Sequence, residues 1–356
     1  MPGKCALTLI AVSLPQGGNA SNIKVKGKNW GDYFVYDDDD KVRDWVVFSK
    51  RILLGDHAGF NGTDIHAINI GNRSGNRNQQ EYASAIGIGA GETDQKSNAI
   101  AIGSQAGENR QNLYAIAMGQ NAGQTNQQNS AIAIGKNTAQ TEQQNNAIAI
   151  GTNAAQKNQQ NNAISIGTNA GQTGQKTYSI AIGTNTAQTN QGKYSIAIGT
   201  NAGRTGQAEN SIMFSAVPNG ISSKESGFYV KPIRAASYGS MLCYDPYNNE
   251  IHYEGSSRRY KYDIISLENL TSTVYQLQPR EFKYKLSGQT DIGLIAEEVY
   301  EIDSSLAYLN QNNIPEGIRW NTITTYLLKE IKKLRNRILV LKEKKQLFST
   351  RTTGFT

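Results

Sequence analysis

The sequence is poor in several residue types, and each scarcity excludes a class of protein. It has only two cysteines, Cys5 and Cys243, which lie too far apart to indicate a disulfide framework. Its three histidines, His57, His66 and His252, do not cluster as metal ligands do. No apolar run reaches the roughly 18 residues of a membrane span. Charged residues make up only 18% of the chain, fewer than a disordered protein usually carries. We therefore expect a folded chain without a metal, a cofactor or a membrane span.

The formal net charge of +7 raises the question of nucleic acid. The excess is local, because residues 256–356 hold 16 Lys+Arg and 11 Asp+Glu, which leaves only +2 on residues 1–255. Much of the C-terminal excess lies on one predicted helix, where solvated charges are ordinary. We expect no nucleic-acid partner.

Residues 1–50 precede any repeat and are assigned to an N-terminal attachment region. The apolar run 5–14 has the outline of a short signal peptide within residues 1–20, and a buried or docking strand fits it equally well. The acidic stretch 37–41 is interpreted as a solvated loop.

Glycine is abundant, and an internal repeat explains much of it. From Asn98 the sequence repeats every sixteen residues, in units such as NAIAIGSQAGENRQNL and SAIAIGKNTAQTEQQN. Isoleucines at i and i+2, such as Ile100 and Ile102, indicate a short strand with isoleucine on one face and a small residue on the other. One glycine column follows this strand and supplies a corner: Gly103, Gly119, Gly135, Gly151, Gly167, Gly183 and Gly199. Each unit is predicted to be one coil of a β-solenoid, because period-two apolar spacing excludes a helical repeat.

Two polar columns recur with the same period, and stacked coils would turn them into amide ladders. The glutamine column is Gln111, Gln127, Gln143, Gln159, Gln175, Gln191 and Gln207, and the asparagine column is Asn121, Asn137, Asn153, Asn169, Asn185 and Asn201. Tyr178 and Tyr194 share a third column and are predicted to stack, either as a glycan-contacting strip or as plain packing.

A thin single coil offers little burial for the chain that it orders. We expect the isoleucine pairs to be buried and several chains to lie side by side, covering the small alanine and serine face. The NAIAIG-type repeat over residues 51–215 resembles the head repeats of trimeric autotransporter adhesins. This resemblance implies a parallel β-roll that assembles as a homotrimer.

The pattern stops after Ser215, and residues 216–255 are predicted to form a β-rich neck with a hairpin. A final helix is predicted from about Asn321. Its apolar residues Leu327, Ile331, Leu334, Ile338 and Leu341 alternate in spacings of four and three, which indicates a short coiled-coil seam. Such a seam packs either on other chains or on a globular body.

Three motifs lie in residues 256–356: SSRRYKYDI from Ser256, LQPREFKY from Leu277 and IGLIAEEV from Ile292. Taken alone, SSRRYK is also typical of a solvated basic turn. Together the motifs resemble the intramolecular chaperone auto-processing domain at the C-termini of phage tail spikes, endosialidases and viral fibres. The resemblance implies a domain that trimerises, templates the folding of the preceding stalk and then releases itself at the serine.

The residues allow this chemistry to be stated. A neutral lysine can serve as base for a serine hydroxyl where no histidine is available, and burial disfavours the ammonium form. We predict that Ser256 and Lys261 are the catalytic dyad and that cleavage falls between Gly255 and Ser256. Glycine leaves the scissile carbonyl sterically open. Each chain would react once, so no external substrate is expected.

The sequence thus predicts a mainly β, homotrimeric fibre or spike on a virion surface: an attachment region, a solenoid, a neck and an α+β chaperone domain ending in a coiled-coil helix. Beyond the chain itself, a host surface receptor or a glycan is the partner class left open. The alternatives are an uncleaved structural trimer, a bacterial or cellular adhesin that is secreted or displayed on a cell surface, and a regulatory protein released by the same cleavage.

Overall fold

The computed structural model describes residues 33–37, 44–48, 51–236, 241–245, 248–253, 255–267 and 271–352. The segment 1–20 and residues 38–41 of the acidic stretch lie outside the described residues. The chain divides into two compact units, Met1–Arg234 and Ala235–Thr356, which we describe separately.

The first unit is a parallel β-solenoid with two walls, preceded by an antiparallel pair of strands, Tyr33–Asp37 and Asp44–Phe48. One wall, which we call the isoleucine sheet, has twelve strands: Ile52–Leu54, Ile68–Ile70, Ser84–Ile86, Ile100–Ile102, Ile116–Met118, Ile132–Ile134, Ile148–Ile150, Ile164–Ile166, Ile180–Ile182, Ile196–Ile198, Ser211–Ser215 and Gly227–Lys231. The other wall, the glutamine sheet, has seven: Asn61–Thr63, Arg77–Gln79, Thr93–Gln95, Asn109–Gln111, Thr125–Gln127, Thr141–Gln143 and Lys157–Gln159.

The sixteen-residue coil is confirmed. Ile116 pairs in parallel with Ile100 on one side and Ile132 on the other. Gly103 sits at φ +124°, and a Cβ there would lie 2.8 Å from the main chain of Gly119, so the corner column requires glycine. The isoleucine sheet runs on to Gly227–Lys231, a strand that the sequence analysis assigned to the neck.

The expected orientation of the strands is wrong. The central residues of the strands, such as Ala133 and Ala149, are fully buried inside the coil, whereas Ile150 and Ile166 face outward and stay 36% exposed. The space between the walls is filled by glutamine side chains from the opposite strand, such as Gln127, and leaves room only for small residues. Size, and not hydrophobicity, therefore decides which face points inward.

The second unit is small and mixed. Its antiparallel strand pairs are Leu242–Asp245 with Glu250–Tyr253, Arg280–Lys283 with Thr290–Gly293, and Ala307–Leu309 with Pro315–Ile318. Its helices are Ala296–Ile302 and Trp320–Thr352, with 3₁₀ turns at Arg258–Tyr260, Thr271–Gln276 and Ser304–Leu306. The core contains Val274, Val299, Leu306, Ala307, Ile323 and Tyr326. Among the described residues, no helix combines the length and apolarity needed to cross a bilayer.

Candidate functional site

A single 3₁₀ turn shapes the chain from Ser256 to Lys261. The N–H of Tyr260 donates to the carbonyl of Ser257, and the N–H of Lys261 donates to the carbonyl of Arg258, both at 3.1 Å. Ser257 and Lys261 flank the turn in extended conformations. The short turn therefore returns the side chain at position 261 toward position 256.

This turn brings the two predicted dyad residues together. The Nζ of Lys261 donates to the Oγ of Ser256 at 2.7 Å. In its neutral form the same amine at the same distance can accept the hydroxyl proton, which is the geometry that a serine nucleophile and its base require. Both side chains are exposed to solvent in the single chain.

Gly255, on the proposed acyl side of the cleavage, packs against the ring of Tyr260. A Cβ added to Gly255 would lie 3.1 Å from Cε2 and 3.3 Å from Cδ2 of that ring. The guanidinium of Arg259 lies 4.9 Å from the ring centroid and contacts its face. The sequence predicts only that glycine leaves the scissile carbonyl open. The structure adds a second steric reason for glycine at position 255, its close approach to the Tyr260 ring.

The glutamine ladder predicted for the solenoid is confirmed, and it begins earlier than predicted. Each Nε2 donates to the Oε1 one coil further on at 2.8–3.1 Å, from Gln79 through to Gln207. The asparagine ladder is confirmed from Asn121 to Asn185. Asn201 departs from it and donates to the carbonyl of Pro218.

A third ladder, which was not predicted from the sequence, lies on the solenoid surface. It runs in the opposite direction, with each amide donating to the preceding coil, through Gln124, Gln140, Gln156, Gln172 and Gln188. The Glu108 carboxylate accepts the first hydrogen bond and the Arg204 guanidinium donates the last. A group that can only accept and a group that can only donate therefore lie at the two ends of this chain of amides. The recurrence of glutamine every sixteen residues is the sequence signal that could have predicted this ladder.

The predicted stacking of Tyr178 on Tyr194 is confirmed: the ring centroids are 5.3 Å apart and the planes differ by 8°. The C-terminal helix is confirmed as well. Its seam residues are all 44–65% exposed on the single chain: Leu327, Ile331, Leu334, Ile338 and Leu341.

A second cluster missed in the sequence fixes this helix to its unit. The hydroxyl of Thr271 donates to Oε1 of the buried Glu330, and Lys333 donates to Glu330 at 2.7 Å and to Thr271 at 2.9 Å. Hydrogen bonds from Lys333 and then Thr271 lower the pKa of Glu330 to about 2. The i, i+3 spacing of Glu330 and Lys333 is visible in the sequence, but their partner lies 59 residues upstream of Glu330.

Comparison with known proteins supports the C-terminal assignment. A family model described as the chaperone of endosialidase matches residues 256–308. The match begins at Ser256, includes Lys261 and ends before the C-terminal helix begins at Trp320. No curated protein and no solved structure matches the chain. The chain therefore combines a parallel β-solenoid with a following segment that matches the chaperone-of-endosialidase family.

Proposed function

We propose that this chain forms a homotrimeric fibre whose C-terminal domain promotes trimer folding and then cleaves itself off between Gly255 and Ser256. The observation that carries the proposal is the 2.7 Å contact between Lys261 Nζ and Ser256 Oγ, at the start of the segment that matches the chaperone family. A solenoid upstream of such a domain fits a stalk that needs help to assemble.

The outer face of the isoleucine sheet is the surface that we propose for trimer contacts. Every outward position of its twelve strands is apolar except Ser84. These side chains form two apolar rows, which begin at Ile52 and Leu54 and end at Phe228 and Val230, and only the first is interrupted, at Ser84. At about 4.8 Å per strand the rows extend over roughly 50 Å. Soluble proteins rarely leave so large an apolar surface in water, and burying it against two further copies removes it from solvent.

The exposed seam of the C-terminal helix supports the same assembly. Leu334 and Ile338 lie on a part of the helix that continues past the contacts of Glu330 with the unit's body. Spacings of four and three place the seam on one side of the helix, and helices from other copies would cover it by coiled-coil packing.

In the proposed reaction, neutral Lys261 removes the proton from Ser256 Oγ, and the oxygen attacks the carbonyl carbon of Gly255. The C–N bond of the Gly255–Ser256 peptide breaks as the C–O ester bond forms, and the protonated lysine returns the proton to the leaving nitrogen. Water then hydrolyses the ester. The products are residues 1–255 with a free carboxylate and residues 256–356 with a free amino group.

Assembly and cleavage are linked in this proposal by solvent exposure. Ser256 and Lys261 are exposed on the single chain, so water solvates the amine there. Packing of neighbouring copies around the turn would remove water from the amine and favour its neutral form. Cleavage would then follow folding of the trimer and not precede it.

A denaturing gel of the full chain beside Ser256→Ala and Lys261→Ala tests the proposal. We expect the wild type to give two fragments that meet at Gly255 and Ser256, and both variants to stay at 38.9 kDa. Lys261→Arg is the matched control, because it keeps the positive charge but cannot act as a base near neutral pH. A wild-type trimer that stays intact would disprove the cleavage and leave the fibre standing.

We place the mature fibre on a virion surface, because the C-terminal motifs resemble a domain of phage tail spikes and viral fibres. A secreted or cell-surface adhesin with the same chaperone is the competing proposal. Cell fractionation of a natural source, with an antibody against the solenoid, separates the two.

A further inference from the structure

The outer face of the glutamine sheet carries a groove of about 520 Å³. Its lining includes four residues that recur every sixteen positions, which we call the floor column: Glu142, Asn158, Gly174 and Asn190. Gln160 and Lys176, two residues after Asn158 and Gly174, also line it. The four floor residues span three coil steps, or about 14 Å.

The groove lies where the repeat changes. The floor column carries an outward side chain in a left-handed conformation in the coils before it, as at Asn126, Glu142 and Asn158. At Gly174 that side chain is missing, and the regular sheet ends at Lys157–Gln159 and continues only as single bridges. A Cβ at Gly174 would lie 2.7 Å from the Oδ1 of Asn190, so a larger residue there would fill this part of the groove.

The lining chemistry points to a ligand rich in hydroxyl groups. Amide and hydroxyl side chains offer donors and acceptors side by side, and a sugar hydroxyl both donates and accepts. Glu142 adds a carboxylate, whose Oε1 accepts from Asn126 at 2.6 Å, and Lys176 adds donors. The mixed polar lining matches an oligosaccharide better than an apolar ligand, which would leave these groups without partners.

The stacked tyrosine pair lies beside the groove. Tyr178 follows Thr177, a groove residue, and Tyr178 and Tyr194 are 51% and 58% exposed. Other coils carry asparagine in this column, as at Asn146 and Asn162. Tyrosine combines an apolar ring with a polar tip, which suits a sugar ring with its apolar face and hydroxyl rim.

We propose that the Gly174 groove and the Tyr178–Tyr194 pair bind a linear oligosaccharide. The groove lies on the glutamine sheet, whose outer face points away from that of the isoleucine sheet. A trimer assembled through the isoleucine sheet therefore leaves the groove open to solvent, and the site does not require cleavage at Ser256.

The test is isothermal titration calorimetry of the full chain against linear hexasaccharides of glucose, N-acetylglucosamine, mannose and galactose. We expect at least one to bind and Gly174→Asn to weaken that binding at least tenfold. This variant restores the residue that Asn158 places in the same column, at a left-handed position that asparagine tolerates, so the fold should persist. Tyr178→Asn should weaken binding severalfold.

Tyr114→Asn is the matched control, because Tyr114 belongs to the same column and is 61% exposed but lies four coils before Tyr178. Its binding should equal that of the wild type. The proposal fails if no hexasaccharide binds, if Gly174→Asn binds as well as the wild type, or if Tyr114→Asn weakens binding as much as Tyr178→Asn does.

Discussion

Gln127 donates from its side-chain amide to the Oε1 of Gln143, one coil further along, at 3.0 Å inside the solenoid. Its Nε2 also lies within hydrogen-bonding distance of the carbonyls of Ile116 and Ala131, so one amide joins its neighbour's side chain to both flanks of its own coil. The solenoid therefore has a polar interior held by hydrogen bonds, with alanine filling the remaining space. This arrangement fixes the register of the coils, because each side-chain hydrogen bond of the ladder joins residues one coil apart.

Gln143→Ala should destabilise the solenoid by about 2–4 kcal/mol, since it leaves buried acceptors unpaired and opens a cavity. Gln159 Oε1 and the carbonyls of Ile132 and Ala147 would lose a donor. Urea unfolding followed by circular dichroism measures the change. Gln140→Ala, in the surface ladder, is the control and should cost no more than about 1 kcal/mol. Equal losses of unfolding free energy in the two variants would mean that the buried ladder stabilises the solenoid no more than the surface ladder does.

Lysine in the isoleucine sheet should separate the copies. With Ile134→Lys and Ile150→Lys together, each copy would bring two ammonium groups into the interface, at a cost of several kcal/mol. In a Ser256→Ala background, sedimentation velocity should show a shift from trimer to the single-chain mass of 38.9 kDa.

The matched control places the same substitutions on the other sheet. Thr125→Lys and Thr141→Lys lie in a column that already accepts Lys157, so they should leave the trimer intact. If the control pair dissociates the trimer and the isoleucine pair does not, the copies contact each other through the glutamine sheet instead.

Gly255→Val should slow self-cleavage at least tenfold, because the new side chain meets the Tyr260 ring and displaces the scissile carbonyl from Ser256. The fraction cleaved over time on a denaturing gel gives the rate. Tyr260→Ala added to Gly255→Val should restore much of the rate by removing the collision. A double variant as slow as Gly255→Val would show that the ring is not the obstacle.

The repeat, the corner glycines and the ladders could be predicted because residues that recur at a fixed period lie next to one another in successive coils. Which strand face points inward could not, because that depends on what the opposite wall contributes. Gln127 and its equivalents take the volume that isoleucine would need, and neither column reveals this by itself. The Ser256 and Lys261 pair was accessible since both lie on one local turn. The contact of Thr271 with Glu330 depends on tertiary packing, and no local pattern marks it.

The last prediction concerns the acid sensitivity of the second unit. The pKa of Glu330, about 2, is depressed from its ordinary value of 4.5 by hydrogen bonds from Lys333 and Thr271. A depressed carboxyl pKa stabilises the folded state above the unfolded pKa, and this contribution disappears as the pH falls from about 4.5 toward 2. Thermal unfolding monitored by helical circular dichroism should therefore show the helix losing stability over this range. In Glu330→Gln that part of the pH dependence should be absent, whereas Glu297→Gln, at an exposed carboxylate of the same unit, should keep the wild-type profile. If the Glu330→Gln profile between pH 5 and pH 2 parallels that of the wild type, Glu330 does not anchor the helix through its charge.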